Sequence, residues 1–409
     1  SLVSSRRCKP TMALMAIISQ QTHADGTPWV KDSSVMMRSE AEKVEDISSV
    51  FNQIKQNYSF EAFQYFTLIR SIDNSCFGGS NSAYLTKLSL PYSVVSINKS
   101  AFAGCTRLDL VIPENSLLET IGDSAFNFAG SISLYIPKSV SSISNNAFVS
   151  SSIRSFKVSD ENTIYRSENH CIIKDNIIVV GGLNFDGTQS MSDAIDTIGV
   201  NAFNGRGFSK IIIPKGITTL QNSCYYNNGN AKSLYIPDTV ISIAHDSVNL
   251  CSKLENIEVE AANQKYEAIN NTLIEKDSRV LIIGCKNSTI PSDVITLSDY
   301  CFYDCEGLET IDIPDSVTTI GIQAFDNIAS LKKVTIGSGV SNIKSMAFYR
   351  TNNLGKIRIN ATTPPAITTN SFTTNVIIYV PDNSVETYKA ANLWSALADR
   401  IKPISDYTG

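Results

Sequence analysis

The chain has 409 residues, of which 43% are hydrophobic and 18% charged, and its formal net charge is −5 at pH 7. This composition is typical of an ordered, soluble chain, and the negative charge gives no general attraction to nucleic acid or to an anionic membrane. No apolar run approaches the roughly 18 residues of a membrane span. We therefore expect neither nucleic-acid binding nor membrane insertion.

The first segment of interest lies near the N-terminus. Met12 to Ile18 follows Arg6, Arg7 and Lys9 and is similar to a very short signal-peptide core. The apolar stretch is at the lower limit for such a core, and the chain begins without Met. The interpretation is a trimmed chain whose export signal is missing from it.

A helix is predicted further along the same segment. Val44, Ile47, Phe51 and Ile54 recur at the three- and four-residue spacing of an amphipathic helix. Residues 1–65 are therefore expected to form an N-terminal helical cap.

One pattern then recurs eleven times along the chain. Each copy has Ile or Leu, and four residues later a small residue that an aromatic one usually follows. The pairs are Cys76–Phe77, Ala101–Phe102, Ala125–Phe126, Ala147–Phe148, Ala202–Phe203, Cys224–Tyr225, Ser247–Val248, Cys301–Phe302, Ala324–Phe325, Ala347–Phe348 and Ser371–Phe372. Most spacings are 22 to 25 residues and two are 55 and 54. This period predicts a β-rich α/β solenoid over residues 66–375, with function on a repeated surface.

Each repeat is predicted to hold a half-buried strand, such as the one that Pro91 closes, and then a helical turn at the small–aromatic pair. Nine of the 17 Phe residues fall in the aromatic slot. They predict a continuous ladder of rings in the core. Replacing Phe203 or Phe325 by Ala should cost about 3–5 kcal/mol.

The two long gaps hold inserted segments, at about 160–190 and 261–290. They match each other, because Asn162 precedes Tyr165 by three residues as Asn263 precedes Tyr266, and apolar runs around a polar turn follow. Both are predicted to form β-hairpins that belong to the repeats.

Residues 376–409 are predicted to cover the C-terminal end. Ile377, Tyr379 and Val380 should form a last strand before Pro381, and residues 385–390 a short helix, with Trp394 as a plug.

The nine cysteines predict neither a disulfide framework nor a metal site. Six occupy two packed slots of the repeat: Cys76, Cys224 and Cys301, then Cys105, Cys251 and Cys305. A free cysteine is a small buried hydrophobe, and an odd total argues against full pairing. No second Cys or His pair accompanies Cys301 and Cys305, so zinc is not expected. The pairing of Cys8, Cys171 and Cys285 stays open, and no cofactor is predicted.

The units Leu308 to Phe325 and Leu331 to Phe348 resemble the BspA-type leucine-rich repeat of bacterial surface proteins. The segment ending at Gly284 to Pro291, the run Phe63 to Phe66 and the run Tyr379 to Tyr388 are similar to other parts of that family. The resemblance covers residues 60 to 404. It implies an exported, surface-attached protein with a role in adhesion to host proteins or to other cells.

The N-terminal segment departs from that family. Related chains carry a calcium-loop-like stretch before a Glu-Ala pair. Here Trp29, Lys31 and Ser33 take the first ligand positions before Glu40, where oxygen ligands are needed. We expect no calcium in this loop.

Catalysis is not expected. The three histidines, His23, His170 and His245, are scattered, and no nucleophile-elbow, phosphate-loop or paired metal-ligand motif is present.

Recognition is predicted on the outward side of the main strands, where one residue of each must face away from the core. In order these are Ser89, Val111, Tyr135, Lys157, Ile212, Tyr235, Glu258, Asp312, Thr335 and Arg358. The hypothesis is that Tyr135, Ile212 and Tyr235 belong to a strip that binds protein or glycan. The alternative is that β-propensity alone placed them there.

The predicted function is non-catalytic recognition at the bacterial cell surface, with an anchor outside this chain. The partner would be a host extracellular protein, a glycan or another cell-surface protein. A structural stalk and a polysaccharide-capture protein stay open as alternatives, because a fold does not specify its partner.

Overall fold

The computed structural model describes residues 7–8, 12–31, 36–47, 50–51, 54–55, 57–79, 82–131 and 133–408. The chain divides into two compact units. Unit 1 holds residues 1–185 and 191–206, and unit 2 holds residues 186–190 and 207–409. The predicted boundaries at residues 65/66 and 375/376 stay predictions.

Unit 1 contains helices α1 (Met12–Ile18) and α2 (Arg38–Ala41) and short 3₁₀ helices at Glu61–Tyr65 and Ser82–Tyr84. Its strands are β1 (Arg7–Cys8), β2 (Met36–Met37), β3 (Tyr58–Phe60), β4 (Ser71–Ile72), β5 (Leu85–Ser89), β6 (Ser96–Ile97), β7 (Asp109–Val111), β8 (Thr120–Ile121), β9 (Leu134–Ile136), β10 (Ser142–Ile143), β11 (Phe156–Val158), β12 (Tyr165–Glu168), β13 (Cys171–Lys174), β14 (Ile177–Gly181) and β15 (Thr197–Ile198).

Unit 2 continues with β16 (Lys210–Ile212), β17 (Thr219–Leu220), β18 (Ser233–Ile236), β19 (Ser242–Ile243), β20 (Asn256–Val259), β21 (Tyr266–Ile269), β22 (Thr272–Glu275), β23 (Val280–Ile283), β24 (Thr296–Leu297), β25 (Thr310–Ile313), β26 (Thr319–Ile320), β27 (Lys333–Ile336), β28 (Asn342–Ile343), β29 (Lys356–Ile359), β30 (Ile377–Val380) and β31 (Ile401–Pro403). Helix α3 spans Val385–Ala390, and 3₁₀ helices span Asp382–Ser384, Trp394–Arg400 and Ile404–Asp406.

Successive coils stack in parallel within each unit, which confirms the predicted solenoid. In unit 1 the main strands form the parallel sets β3–β5–β7 and β9–β11, and the two-residue strands form the set β4–β6–β8–β10. In unit 2 the main strands form β16–β18–β20 and β25–β27–β29–β30–β31. The two-residue strands β24, β26 and β28 pair beside them.

The predicted ladder of rings is confirmed over runs of consecutive coils in each unit, but it is not continuous, because Val248 puts no ring in its slot. In unit 1 the rings of Phe77 and Phe102 lie 5.4 Å apart, and Phe126 and Phe148 continue the stack at 5.3 and 5.1 Å. In unit 2 Phe325 lies 5.0 Å from Phe302 and 5.1 Å from Phe348. A small residue precedes each ring because its backbone must approach the neighbouring coil closely. The Phe325 N–H, for example, donates to the Ala347 carbonyl at 2.8 Å.

The helical turn predicted at each small–aromatic pair is wrong. The chain forms a tight turn there, with the Ala103 N–H donating to the Ser100 carbonyl at 3.0 Å. Ser100 has φ 56°, and Gly104, two residues after the ring, has φ 79°. These left-handed residues stop the helix from propagating and return the chain to the next strand.

The helix predicted over Val44 to Ile54 is wrong in its first part, and the rest lies partly outside the described residues. All four apolar residues are buried, but residues 44–47 are not helical, and residues 48–49 and 52–53 lie outside the described part of the chain. Phe51 instead stacks on Phe77 at 5.3 Å and so begins the ladder of unit 1. The spacing of Val44 and Ile47 is therefore met by a stretch that is not helical and in which both side chains are buried.

The signal-like segment is a folded element. Met12–Ile18 forms helix α1, and Leu14, Met15 and Ile18 are buried. Its apolar residues therefore contribute to the core of unit 1.

Each inserted segment has one strand more than the predicted hairpin. β12–β13–β14 and β21–β22–β23 are antiparallel three-stranded parts of larger sheets. The shared Asn and Tyr explain their match. The Asn263 side chain donates to the Pro237 and Val240 carbonyls and accepts the Tyr266 N–H, and the Tyr266 hydroxyl accepts the Ile243 N–H at 3.2 Å. In unit 1 the Tyr165 hydroxyl accepts the Ile143 N–H at 3.1 Å. The tyrosine hydroxyl thus replaces the backbone acceptor that a following coil would supply.

The C-terminal predictions are largely confirmed. β30 and α3 form as expected, and Trp394 is 1% exposed and packs edge-on against Tyr388 at 4.9 Å. β31 adds one further strand beyond the predicted last one, parallel to β30.

Eight cysteines, Cys171 and Cys285 among them, are buried and free. The side chain of Cys8 lies outside what the structure describes.

Candidate recognition surface

The residues predicted to face outward share one side of the main strands. Strand register pairs Ser89 with Val111 and Tyr135 with Lys157 in unit 1. In unit 2 it aligns Ile212, Tyr235 and Glu258, and separately Asp312, Thr335 and Arg358. Their neighbours along each strand, such as Leu134 and Ile136 beside Tyr135, are buried. The alternation that the prediction used is therefore present, whereas binding by these residues stays a prediction.

Unit 1 exposes apolar and charged groups on this side. Val111 is 43% exposed and Lys157 is exposed, whereas Tyr135 is half-buried against the core. Beside them, Lys138 and Glu161 form an ion pair at 2.7 Å. This ion pair is exposed, so its contribution to stability is small.

The first sheet of unit 2 places a tyrosine beside a charge network. Lys215 lies 3.3 Å from Glu260 and 3.4 Å from Asp238. The Glu260 carboxylate of this network also acts electrostatically on the Tyr235 hydroxyl. Partial desolvation and this carboxylate raise the pKa of Tyr235, so the phenol stays protonated at neutral pH.

The five-stranded sheet of unit 2 extends the outward row beyond the predicted residues. Register continues from Arg358 to Tyr379 and on to Lys402. Tyr379 packs edge-on against Tyr407 at 5.0 Å, and the Lys356 ammonium lies 4.9 Å from the Tyr407 ring. The sequence-based row ended two strands early, at Arg358. Ile401-Lys-Pro403 repeats the strand-then-proline pattern of earlier coils and was the available signal.

In the N-terminal segment, the carboxylate of Glu40 is occupied by hydrogen bonds to the backbone. Glu40 accepts the backbone N–H groups of Lys31 and Met37 at 2.9 and 2.7 Å. Trp29 is 4% exposed and packs against Phe66, and Ser33 lies outside the described residues. Within the described ranges, no group of three or more His, Cys, Asp or Glu side chains could hold a metal ion.

The three histidines lie at separate places in the chain. His170 Nδ1 lies 3.0 Å from the Ser155 hydroxyl in a turn of the first inserted sheet, where His170 has φ 68°. His245 is exposed in unit 2, and His23 lies near the N-terminus, beside the Asp25 turn.

Stacked parallel coils with a shared aromatic spine define this chain as a leucine-rich repeat solenoid. The model of the BspA type leucine-rich repeat region matches residues 48–178, 184–279 and 282–386. The chain belongs to this BspA-type family.

The chain is similar to several solved structures. A leucine-rich repeat protein from Eubacterium ventriosum is 23% identical, with a TM-score of 0.49 over 69% of this chain and 80% of that one. A leucine rich cell surface protein from Faecalibacterium prausnitzii is 20% identical, with a TM-score of 0.39 over 76% and 77%. The pneumococcal vaccine antigen PcpA is 17% identical, with a TM-score of 0.37 over 82% and 83%. No curated protein matches the chain significantly.

Among the helices that the structure describes, none has the length and apolarity needed to cross a bilayer.

Proposed function

We propose that this protein is a non-catalytic recognition protein of the bacterial cell surface, which binds a host extracellular protein, a glycan or another cell-surface protein through the outward side of its main strands. The observation that carries the proposal is the register of that side, which lines up Ile212, Tyr235 and Glu258 in unit 2 and pairs Tyr135 with Lys157 in unit 1. Membership of the BspA-type family supports surface recognition.

The chemistry of the surface favours selective contact. Tyr135 and Tyr235 are half-buried, so their rings are already fixed and lose little conformational entropy on binding. Lys138–Glu161 beside Tyr135 and Lys215–Glu260 beside Tyr235 supply paired charges next to each ring. Rigid aromatic anchors surrounded by polar groups are typical of binding hot spots.

The test is a double variant, Tyr135→Ser with Tyr235→Ser, in solid-phase binding to host matrix proteins and mucin glycans. We expect a loss of attachment of about tenfold or more. Tyr92→Ser is the matched control, since Tyr92 is 45% exposed but lies outside the main strands. Unchanged attachment by a folded double variant would exclude these rings. Absence of any binding by the unmodified protein would favour the stalk.

A further inference from the structure

The second inserted segment leaves a cleft in unit 2, which we call the joint cleft. It encloses about 570 Å³ between the coil that ends at residues 244–249 and the coil at residues 299–303. Tyr226, Tyr300 and Tyr303 line it, together with Asp246, Asn222 and Asn249. This volume falls in the usual range of small-molecule sites, about 300–1,000 Å³.

The cleft lies where the insertion interrupts the stacking pattern. In an unbroken stack the aromatic residue donates its N–H to the next coil, as Tyr225 does to the Ser247 carbonyl at 2.8 Å. At the insertion, Gly284 of the inserted sheet donates to the Cys301 carbonyl at 2.7 Å in place of a coil residue. Val248 is also the one member of the aromatic slot without a ring. The glycine contact is common to both insertions, since Gly181 donates to the Ala202 carbonyl at 2.9 Å in unit 1, so it does not by itself open the cleft.

The first insertion, in unit 1, shows that such a joint can close. Asn146 and Asn201 each precede the small residue of their coil, as Asp246 and Tyr300 do in unit 2. The Asn201 amide donates to the Asn146 side-chain oxygen at 2.7 Å, and the Ser150 N–H donates to the Asn204 carbonyl at 2.9 Å. The stack therefore does not require a cleft at an insertion.

In unit 2 the corresponding side chains point to other partners. Asp246 accepts hydrogen bonds from Asn222 and Ser223, both at 2.9 Å. Tyr300 packs edge-on against Tyr303 at 5.9 Å. Arg350 donates to the Tyr303 hydroxyl at 3.3 Å, so the walls of the cleft are held in place before any ligand enters.

The lining selects for an uncharged, hydroxyl-rich ligand. In the part of the chain that the structure describes, neither lysine nor arginine lines the cleft, whereas the carboxylates of Asp246 and Asp299 do, and these disfavour an anion. His245 and Gln323 also line it and add polar groups to those of the asparagines and tyrosines. A cation is also disfavoured, because both Asp246 oxygens already accept hydrogen bonds, and Asp299 accepts the Ile322 N–H at 2.7 Å and lies 3.6 Å from the Lys344 ammonium.

A sugar ring is an uncharged ligand that fits this lining of aromatic rings, amides and carboxylates. Its C–H faces stack on aromatic rings, and its hydroxyls can donate to carboxylate oxygens and accept from amide N–H and phenol O–H groups. Burial and nearby carboxylates raise the pKa of Tyr226 and Tyr300, which keeps both phenols available as donors. We propose that the joint cleft is a binding site for a neutral saccharide unit, separate from the outward sheet surface.

The test uses the full chain on an array of neutral hexose and N-acetylhexosamine oligosaccharides, with saturation-transfer NMR on the saccharide that binds. Tyr226→Ser with Tyr300→Ser should weaken binding about tenfold or more. Asp246→Asn with Tyr300→Asn installs the residue pair of the first joint and should abolish binding. Asn222→Ala is a milder variant at an exposed position, and it should also weaken binding. It provides the test if the double variants do not fold.

Tyr92→Ser is the control, and it should bind as the unmodified protein does. The Tyr135→Ser with Tyr235→Ser variant should also keep its saccharide binding, which separates this site from the proposed sheet surface. Three results would overturn the inference: no saccharide bound by the unmodified protein, undiminished binding by folded cleft variants, or capture by the cleft of a lysine-rich peptide in place of sugars.

Discussion

Replacing Asn263 by Ala tests how the inserted segment of unit 2 is joined to its coil. Asn263 is 0% exposed, and its side chain makes four hydrogen bonds. It donates to the Pro237 and Val240 carbonyls at 2.8 and 3.0 Å and accepts the N–H groups of Lys265 and Tyr266 at 2.8 and 2.7 Å. Alanine removes all four and leaves these backbone groups without this partner.

The expected cost follows from that count. A buried hydrogen bond contributes about 0.5–1.5 kcal/mol net, so four predict a loss of about 4 kcal/mol in the free energy of unfolding. Asn162→Ala removes four equivalent bonds in unit 1, to the Pro137 and Val140 carbonyls and from the Ile164 and Tyr165 N–H groups. Its loss should be smaller, because Asn162 is only half-buried and water can replace part of what is removed.

Urea unfolding followed by circular dichroism measures the global effect. Repeat arrays can unfold in parts, so hydrogen exchange at the Tyr266 amide should be recorded as well. Gln264→Ala is the control, since Gln264 is exposed, and it should change stability by less than about 0.5 kcal/mol. If Asn263→Ala costs under about 1 kcal/mol and the Tyr266 amide keeps its protection, the assigned role is incorrect.

Three further outcomes follow from the repeat geometry. Phe325→Ala should cost about 3–5 kcal/mol in urea unfolding, because Phe325 is fully buried between two rings; a cost near that of an exposed substitution would contradict the ladder. Phe128→Gly should raise stability by up to about 1 kcal/mol, because Phe128 is 58% exposed and has a left-handed φ of 56°. Gly104 occupies the same position of its coil, two residues after the ring, with φ 79°. Gly104→Ala should lower stability, because the added Cβ would lie 2.4 Å from the Ser82 hydroxyl oxygen. Burial raises the pKa of Cys76 and of Cys105 from 9.0 to about 12, so these thiols should resist a disulfide reagent at pH 8 until the chain unfolds. Because the unfolded thiols ionise near pH 9 and the folded ones near 12, stability should also fall as pH rises through that interval, and a flat alkaline profile together with rapid native labelling would contradict this.

The repeated features could be predicted because the same residue pattern recurs in coil after coil. The Ile or Leu, the small residue and the ring recur at one spacing, and the same contacts are therefore made in every coil. The outward row followed from strand alternation alone, and register in the structure aligns Tyr235 with Glu258 as expected. Even the short helix at Val385–Ala390 was local enough to predict.

Other features could not be predicted from the spacing of the apolar residues. The tight turns depend on left-handed residues such as Ser100, which no composition rule requires. Val44 and Ile47 have a helical spacing, although residues 44–47 are not helical. Spacing records which residues are buried, but it does not record the backbone path between them.

The sequence by itself determined the coil, its period and the direction in which each strand residue points. Only the tertiary structure decided that one insertion closes, with Asn146 on Asn201, and that the other stays open, with Asp246 and Tyr300 apart. The physical reason is that each pair is separated by more than fifty residues. Whether the two side chains of a pair make contact depends on how the inserted sheet packs between two coils. That packing is a long-range property, and no local sequence pattern predicts it.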